Sequence, residues 1–287
     1  MIYIVLSILI NTLLFIIFKL FDKYKVDTFQ AIVFNYLIAF IVAFSQSKVS
    51  YSLTEIPNQK WFFGAVILGF LFISIFNVLG KTAQKMGISV VAVASKMSVV
   101  IPILFGILIY KESLGIYKII GILLALVAVY LSSVKESAVF NKKLLYLPII
   151  LFFGSGILDT LLKYVEKNYV ATNETEVYTG TIFLTAIILG FIAMLYQFLN
   201  GKLKITFKNF IAGMILGVPN YYSIYFLLKA LQTKNLESST VFTMNNVGVV
   251  LFSTLIGLFL FKEKLSKLNY FGVIFSIIAI ILITLSI

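Results

Sequence analysis

The sequence has 287 residues, of which 61% are hydrophobic and only 12% are charged, whereas a soluble domain has about a quarter of its residues charged. Because this number of charged side chains is too small to cover a globular surface, the composition predicts an integral membrane protein. The net charge of +12 comes from Lys residues in short gaps between apolar runs, which is typical of loops at lipid headgroups and argues against a nucleic-acid partner. The sequence contains no Cys and no His, which excludes thiolate and imidazole chemistry, so we expect no catalytic residue, metal or other cofactor.

Apolar runs of about 20 residues, the length that crosses a bilayer, predict ten membrane-spanning helices. In chain order the runs lie at 1–21, 28–46, 61–84, 88–110, 115–133, 144–165, 175–199, 209–231, 238–261 and 267–286. The first run has no charged segment before it and no small-residue cleavage site after it, which indicates a retained helix rather than a signal peptide. We therefore expect an all-α, multi-pass protein of a bacterial inner membrane, with short connections and no inserted soluble domain.

The two halves of the sequence resemble each other, which predicts a first five-helix repeat at 1–135, a connecting loop at 136–143 and a second repeat at 144–287. Three blocks recur in order: Lys19, Asp22, Lys23 and Val26 match Lys163, Glu166, Lys167 and Val170; Lys60, Phe62, Leu68, Gly69, Lys81 and Gln84 match Lys208, Phe210, Leu216, Gly217, Lys229 and Gln232; Leu104, Gly106, Lys111, Glu112, Leu114 and Gly121 match Leu255, Gly257, Lys262, Glu263, Leu265 and Gly272. Because five is odd, the second half must enter the membrane from the opposite side. Transporters commonly use such inverted repeats to give alternating access to a site at mid-depth.

The segment 87–114, GISVVAVASKMSVVIPILFGILIYKESL, followed by a helix that contains glycine, resembles the drug/metabolite transporter superfamily, EamA type. The resemblance covers the whole chain, and it implies a ten-helix carrier of small metabolites such as amino acids, often an exporter. Members carry an acidic residue after the fourth and ninth helices, as this chain does at Glu112 and Glu263. We interpret both as interfacial turns whose charges lie in water. Lys96 departs from the family pattern, which has a neutral residue at that place.

Two ionisable residues lie inside predicted helices, where a charge costs several kcal/mol unless it is paired or hydrated. Lys96 is in the fourth helix and Asp159 is in the sixth. They could pair with each other, and Lys163, four residues after Asp159, could also form a local ion pair with it. Alternatively, Lys96 holds a substrate anion, in which case the two charges together favour an amino acid or another zwitterion.

Further polar residues surround these charges and extend the predicted substrate-binding set. Ser95 and Ser98 flank Lys96, while Asn245 and Asn246 lie in the ninth helix, where the repeat aligns Ser95 with Asn246. Polar groups at symmetry-related positions are expected for a site on the repeat axis. The alternative is that they form hydrogen bonds between helices.

A third group of candidate substrate-binding residues lies near the middle of the eighth helix. It comprises Asn220, Tyr221, Tyr222 and Tyr225, next to Pro219. A proline there favours a kinked helix with carbonyl groups free to face a cavity. Tyrosines at this depth favour a cavity wall over an interfacial aromatic belt.

The leading functional prediction is a secondary transporter of a small-molecule substrate. No GxxxxGK[ST] motif is present, so the chain does not encode direct use of ATP. The alternatives are a non-transporting membrane partner or lipid flippase subunit and, with less support, an integral membrane enzyme. Either a monomer or a homodimer in the lipid bilayer agrees with ten helices.

Overall fold

The computed structural model describes residues 1–47, 49, 51, 54–86, 88–113, 115–133, 144–201, 205–234, 236–262 and 266–285, without the side chains of residues 22, 83–86, 88, 89, 92 and 133. Within these ranges the chain is helical and contains no strand. The connecting loop predicted at 136–143 and Glu263 lie outside the described residues.

Eleven α-helices follow one another along the described chain. They are α1 (Ile2–Lys23), α2 (Thr28–Gln46), α3 (Phe62–Met86), α4 (Ile88–Met97), α5 (Val100–Tyr110), α6 (Ile116–Ser133), α7 (Tyr146–Tyr169), α8 (Thr175–Leu199), α9 (Phe207–Leu231), α10 (Ser238–Phe261) and α11 (Lys267–Thr284). A short 3-10 turn at Ile56–Asn58 precedes α3.

Nine stretches in the described part of the chain are long and apolar enough to cross a membrane. One of them, Val93–Tyr110, runs through both α4 and α5, while the apolar part of α6, Ile116–Ser132, is shorter than the rest. The all-helical membrane architecture is therefore confirmed, and the tenth crossing stays a prediction.

The outside of the helix bundle is apolar, as a bilayer requires. Phe63 is 75% exposed, Leu108 is 74% exposed and Phe259 is 77% exposed. Such side chains favour hydrocarbon over water, so the exposed faces of these helices are suited to contact with lipid tails.

A close helix crossing joins the two halves of the sequence. On α9, Gly213 and Gly217 are four residues apart and face α2: a Cβ at Gly213 would lie 2.5 Å from Phe34 Cβ, and one at Gly217 would lie 2.5 Å from Ile38 Cβ. Only glycine allows this approach. The arrangement matches the small-xxx-small contacts by which helices pack in lipid.

Several connections meet at one end of the bundle, which we call the Glu112 end. There the turn after α5 contacts the N-terminus of α10, because the carboxylate of Glu112 accepts hydrogen bonds from the amides of Ser238 and Ser239, both at 2.9 Å. The C-termini of α7 and α9 lie at the same end, since Lys163 donates to the Leu231 carbonyl at 3.1 Å. This end carries a cavity that is described below.

Candidate functional site

Lys96 lies beside a break in the fourth crossing. α4 ends at Met97 and α5 begins at Val100. Pro102 accounts for the position of the break, because a proline clashes with the carbonyl four residues earlier, here that of Ser98, and cannot donate a hydrogen bond to it. The fourth crossing is therefore interrupted between Met97 and Val100. Lys96 occupies the last turn of α4, where the free carbonyls of a helix C-terminus favour a cation.

The Lys96 ammonium reaches across to α10. Its Nζ donates to Asn246 Oδ1 at 3.1 Å and lies 5.6 Å from the centroid of the Phe15 ring on α1. Among the described residues, Asn246 is the one side chain that accepts a hydrogen bond from Lys96. Since an ammonium has three protons to donate, this cation retains donors for a bound molecule.

Asp159 lies on α7 near Lys96 without binding it directly. The two charges interact electrostatically, yet no Asp159 oxygen comes within 4.0 Å of the Nζ of Lys96 or of Lys163. Lys163 instead pairs with Glu166 at 3.0 Å, so the local Asp159–Lys163 pair that the sequence allowed is absent. Lys163 does not turn toward Asp159 because Glu166 and the carbonyl end of α9 offer its ammonium two acceptors at once.

The two serines beside Lys96 stabilise the broken helix end. Ser95 Oγ donates to the Val91 carbonyl at 2.7 Å, and Ser98 Oγ donates to the Ser95 carbonyl at 2.6 Å. Their hydroxyl protons are therefore used within the chain, and Ser98 is fully buried. For a bound molecule these serines offer acceptor lone pairs rather than donors.

Asn245, next to Asn246 on α10, bonds to helices on the other side of α10. Its Oδ1 accepts from Ser7 Oγ on α1 at 2.9 Å, and the same hydroxyl lies 3.3 Å from the Ser223 carbonyl on α9. Asn11 donates to Ser7 Oγ at 3.2 Å. Ser7 was absent from the predicted site, because a single serine in an apolar helix gives no signal in the sequence. These contacts make Asn245 a link between α1 and α10.

The group predicted on α9 lies apart from Lys96, and α9 runs unbroken through Pro219. Asn220 Nδ2 donates to Asn35 Oδ1 on α2 at 2.8 Å, which is the interhelical hydrogen bond of the alternative interpretation. Tyr221, Tyr222 and Tyr225 pack their rings together, with centroids 5.1 to 6.3 Å apart.

The three tyrosines differ in how their hydroxyl groups are used. The Tyr222 hydroxyl accepts from Gln46, whereas the fully buried Tyr221 hydroxyl has no hydrogen-bond partner among the described residues. The buried carboxylate of Glu176 lies close enough to interact with Tyr221 and Tyr225. The structure thus assembles one group at the α4 break and a second, aromatic group nearer the Glu112 end.

Glu112 does not lie free in water, as the sequence suggested, but caps α10. Besides the two amides, its carboxylate accepts from the Ser238 hydroxyl. Burial alone would raise the pKa of Glu112, but the hydrogen bonds from Ser238 and Ser239 outweigh it and hold the pKa below its ordinary value. A carboxylate at a helix N-terminus is also favoured by the helix dipole.

Glu237 makes the reciprocal contact from the other side of the same junction. It accepts from the Ser113 amide at 2.8 Å and pairs with Lys118. Its burial would raise the pKa of the carboxyl, but Lys118 and Ser113 outweigh that effect and lower it. The two exchanged carboxylates tie the α5–α6 turn to α10. Sequence reasoning missed this junction because its partners are far apart along the chain.

A polar cavity of about 470 Å³ opens beside this junction. Its walls come from the ends of α5, α7 and α9 and the start of α10. The lining residues are Tyr110, Lys111, Glu112, Lys163, Glu166, Lys167, Val170, Thr172, Leu231, Gln232, Leu236, Glu237 and Ser238. We call it the end cavity. No group of three or more acidic residues suited to a metal ion occurs in the described ranges.

The apolar exterior, the many long helices and the charged groups held inside them define a multi-pass integral membrane protein with an internal polar site. A model of the EamA-like transporter family matches residues 1–134, so the first half of the chain belongs to that family, which is part of the drug/metabolite transporter superfamily.

Two further similarities cover nearly the whole chain. A Haemophilus influenzae protein described as uncharacterized is 32% identical over 285 residues, which is 96% of this chain and 94% of the relative. A solved crystal structure superposes with a TM-score of 0.78 at 13% identity, covering 99% of this chain and 96% of the other. At that identity the crystal structure shows a shared fold alone.

Proposed function

We propose that this protein is a secondary transporter that exports or exchanges small polar metabolites such as amino acids by alternating access. The proposal builds on the match of residues 1–134 to a transporter family. It adds a substrate class, argued from the charges at the α4 break, and a mechanism, argued from the repeat. The bacterial relative supports a bacterial inner membrane as the location.

The observation that carries the proposal is the Lys96 ammonium at the end of a discontinuous helix within the membrane. Broken helices whose ends face a mid-depth site are a recurring feature of secondary transporters. Among the described residues, the one hydrogen-bond acceptor of this cation is a neutral amide, Asn246 Oδ1, so the ammonium is suited to bind a substrate carboxylate. Asp159 on the neighbouring α7 supplies the opposite charge, which an ammonium group of the same substrate would meet.

The repeat supports a site on a pseudo-two-fold axis. By the block that matches Lys19 with Lys163, Phe15 corresponds to Asp159, and Lys96 interacts with both. By the last block, Asn246 corresponds to Ser95, the neighbour of Lys96. One side chain that interacts with symmetry-related positions is expected where two repeats meet.

Matching helix ends add support for an inverted pair of repeats at 1–135 and 144–287. Lys111 caps the C-terminus of α5 and Lys262 caps that of α10, both in the left-handed conformation with φ of 53° and 52°. Each of these lysines donates its amide to a glycine carbonyl, Gly106 or Gly257. The same cap therefore recurs at matched positions of the two halves.

The test is uptake and efflux in proteoliposomes with radiolabelled amino acids and organic acids. We expect the wild-type protein to move a zwitterion or an anion, and we expect Lys96→Ala and Asp159→Asn to abolish or strongly reduce that flux while the protein stays folded. Transport of a substrate at wild-type rates by both variants would show that these charges are structural.

A further inference from the structure

We propose that the end cavity is a second binding site, which receives an amino-acid-like zwitterion before it reaches Lys96. The inference rests on the proposed transport function and extends it by an entry site and a narrower substrate class. The volume of the end cavity, about 470 Å³, is in the range of pockets that bind small molecules.

Two lysines form the positive pole of the cavity. Lys111 and Lys167 are exposed on the cavity wall, and neither forms an ion pair with a carboxylate in the described part of the chain. Lys167 Nζ lies 3.6 Å from the centroid of the Tyr110 ring, another residue of the lining. The three glutamates of the lining already have partners. Glu166 pairs with Lys163, Glu237 pairs with Lys118, and Glu112 caps the N-terminus of α10. A ligand carboxylate would therefore meet two ammonium groups and no free acid.

The negative pole lies at the carbonyl end of α9. Gln232 lines the cavity, and its buried Oε1 atom accepts no hydrogen bond from any described residue. Its Nε2 donates to Thr175 Oγ1 at 3.1 Å, while the acceptor stays unused. Buried acceptors are nearly always satisfied, and a ligand ammonium would supply the missing donor once the Gln232 amide turns toward the cavity that this residue lines. The helix dipole of α9 also favours a cation here.

Asp159 lies one helical turn beyond the part of α7 that lines the cavity. Asp159, Lys163, Glu166 and Val170 recur at the spacing that places residues on the same side of a helix, and the last three of them line the cavity. Lys163 also bonds to the Leu231 carbonyl at the end of α9, so the side of the cavity nearest Asp159 is closed by a polar contact between α7 and α9.

The experiment compares transport kinetics in proteoliposomes for the amino acid that the wild-type protein moves fastest among the twenty proteinogenic ones. Removal of both free ammonium groups, in Lys111→Asn with Lys167→Met, is expected to raise KM about fivefold and to leave the maximal rate within twofold, because exposed charges contribute about 1 kcal/mol or less. The matched control is Lys60→Met, an exposed lysine outside the cavity lining. A melting curve of each purified variant verifies that it is folded.

A second variant tests the ammonium pole. Gln232→Leu is expected to raise KM for the amino acid about tenfold, as loss of a hydrogen bond to a charged group does. It should leave unchanged the inhibition constant of the corresponding hydroxy acid, which lacks the ammonium. Equal effects on both compounds would overturn the zwitterion assignment.

The outcomes separate this inference from the proposed function. If an amino acid is transported with dependence on Lys96 but the cavity variants keep the wild-type KM, the end cavity is not a binding site and the proposed function stands. If no amino acid is transported, the proposed substrate class and the cavity assignment both fail. If Lys167→Glu lowers KM, the cavity favours cations and the inference is wrong.

Discussion

The α4 break and the Glu112 end both hold charged side chains within a largely apolar protein, but they treat those charges differently. At the Glu112 end, Glu237 pairs with Lys118, and Glu112 accepts three hydrogen bonds. At the α4 break, Lys96 binds one neutral amide and Asp159 forms no ion pair with a described lysine. A charge with good partners connects helices, whereas a charge that forms no direct ion pair inside a membrane-spanning helix is costly and is expected to serve a ligand.

The largest effect that the comparison predicts is on transport in Asp159→Asn. We expect the rate to fall at least about tenfold, because the substitution removes the opposite charge beside Lys96 and with it a charge-assisted contact to the substrate. The measurement is initial uptake per folded protein. Glu55→Gln, which removes the same charge at an exposed position, is the control. Full activity of Asp159→Asn would place Asp159 with the structural charges.

For Lys118→Met at the Glu112 end, we expect a loss of stability with unchanged transport. Lys118 is 1% exposed, but the Glu237 side chain is 35% exposed. The loss of unfolding free energy should therefore lie at about 1–2 kcal/mol, between the values for exposed and for buried ion pairs. A lowered melting temperature with unchanged transport per folded protein would support the distinction, whereas lost transport with unchanged melting would break it.

Acidification should weaken the Glu112 end. The pKa values of Glu112 and Glu237 are lowered in the folded protein, so their contribution to stability is present above the ordinary glutamate pKa. It is lost as the pH falls through the lowered pKa values, because the unfolded chain then binds more protons. Melting temperatures measured from pH 7 downward should decrease below about pH 4.5. A double variant, Glu112→Gln with Glu237→Gln, should show a smaller decrease, and an equal decrease would refute the assignment.

The smallest effect is expected at the α2–α9 contact. Asn220→Leu removes the hydrogen bond to Asn35 and should cost about 0.6 kcal/mol, the average for such bonds in membranes. Transport should stay within about twofold of wild type, as checked by uptake and by unfolding in detergent. A tenfold loss of transport with normal stability would return Asn220 to the substrate site.

The membrane fold could be predicted largely from the sequence, since apolar runs and helix length are local properties. The break in the fourth crossing also has a local cause, because Pro102 lies just after it and interrupts the helix. The contacts at the helix ends were harder to predict from the sequence where the chain is polar but buried. Glu112 resembles a solvated turn in sequence, and only the contact with α10 shows that it is a cap.

The composition of the candidate site was harder to predict than its location. The repeat aligned Asn246 with Ser95, the neighbour of Lys96, and the structure brings Lys96 and Asn246 together. Nothing in the sequence could decide between Asp159 and Glu166 as partners of Lys163, because both are at helical spacing from it. Which of two acceptors a lysine uses depends on a third group, here the Leu231 carbonyl on another helix.

The most direct test of the central claim uses the absence of cysteine from the natural sequence. Lys96→Cys introduces a single thiol, and aminoethyl methanethiosulfonate then restores an ammonium at that position through a disulfide. We expect Lys96→Cys to lack transport, the aminoethyl reagent to restore a substantial fraction of it, and the uncharged methyl reagent to restore none. Wild-type transport by the unmodified variant, or equal rescue by both reagents, would contradict a substrate-binding cation at position 96.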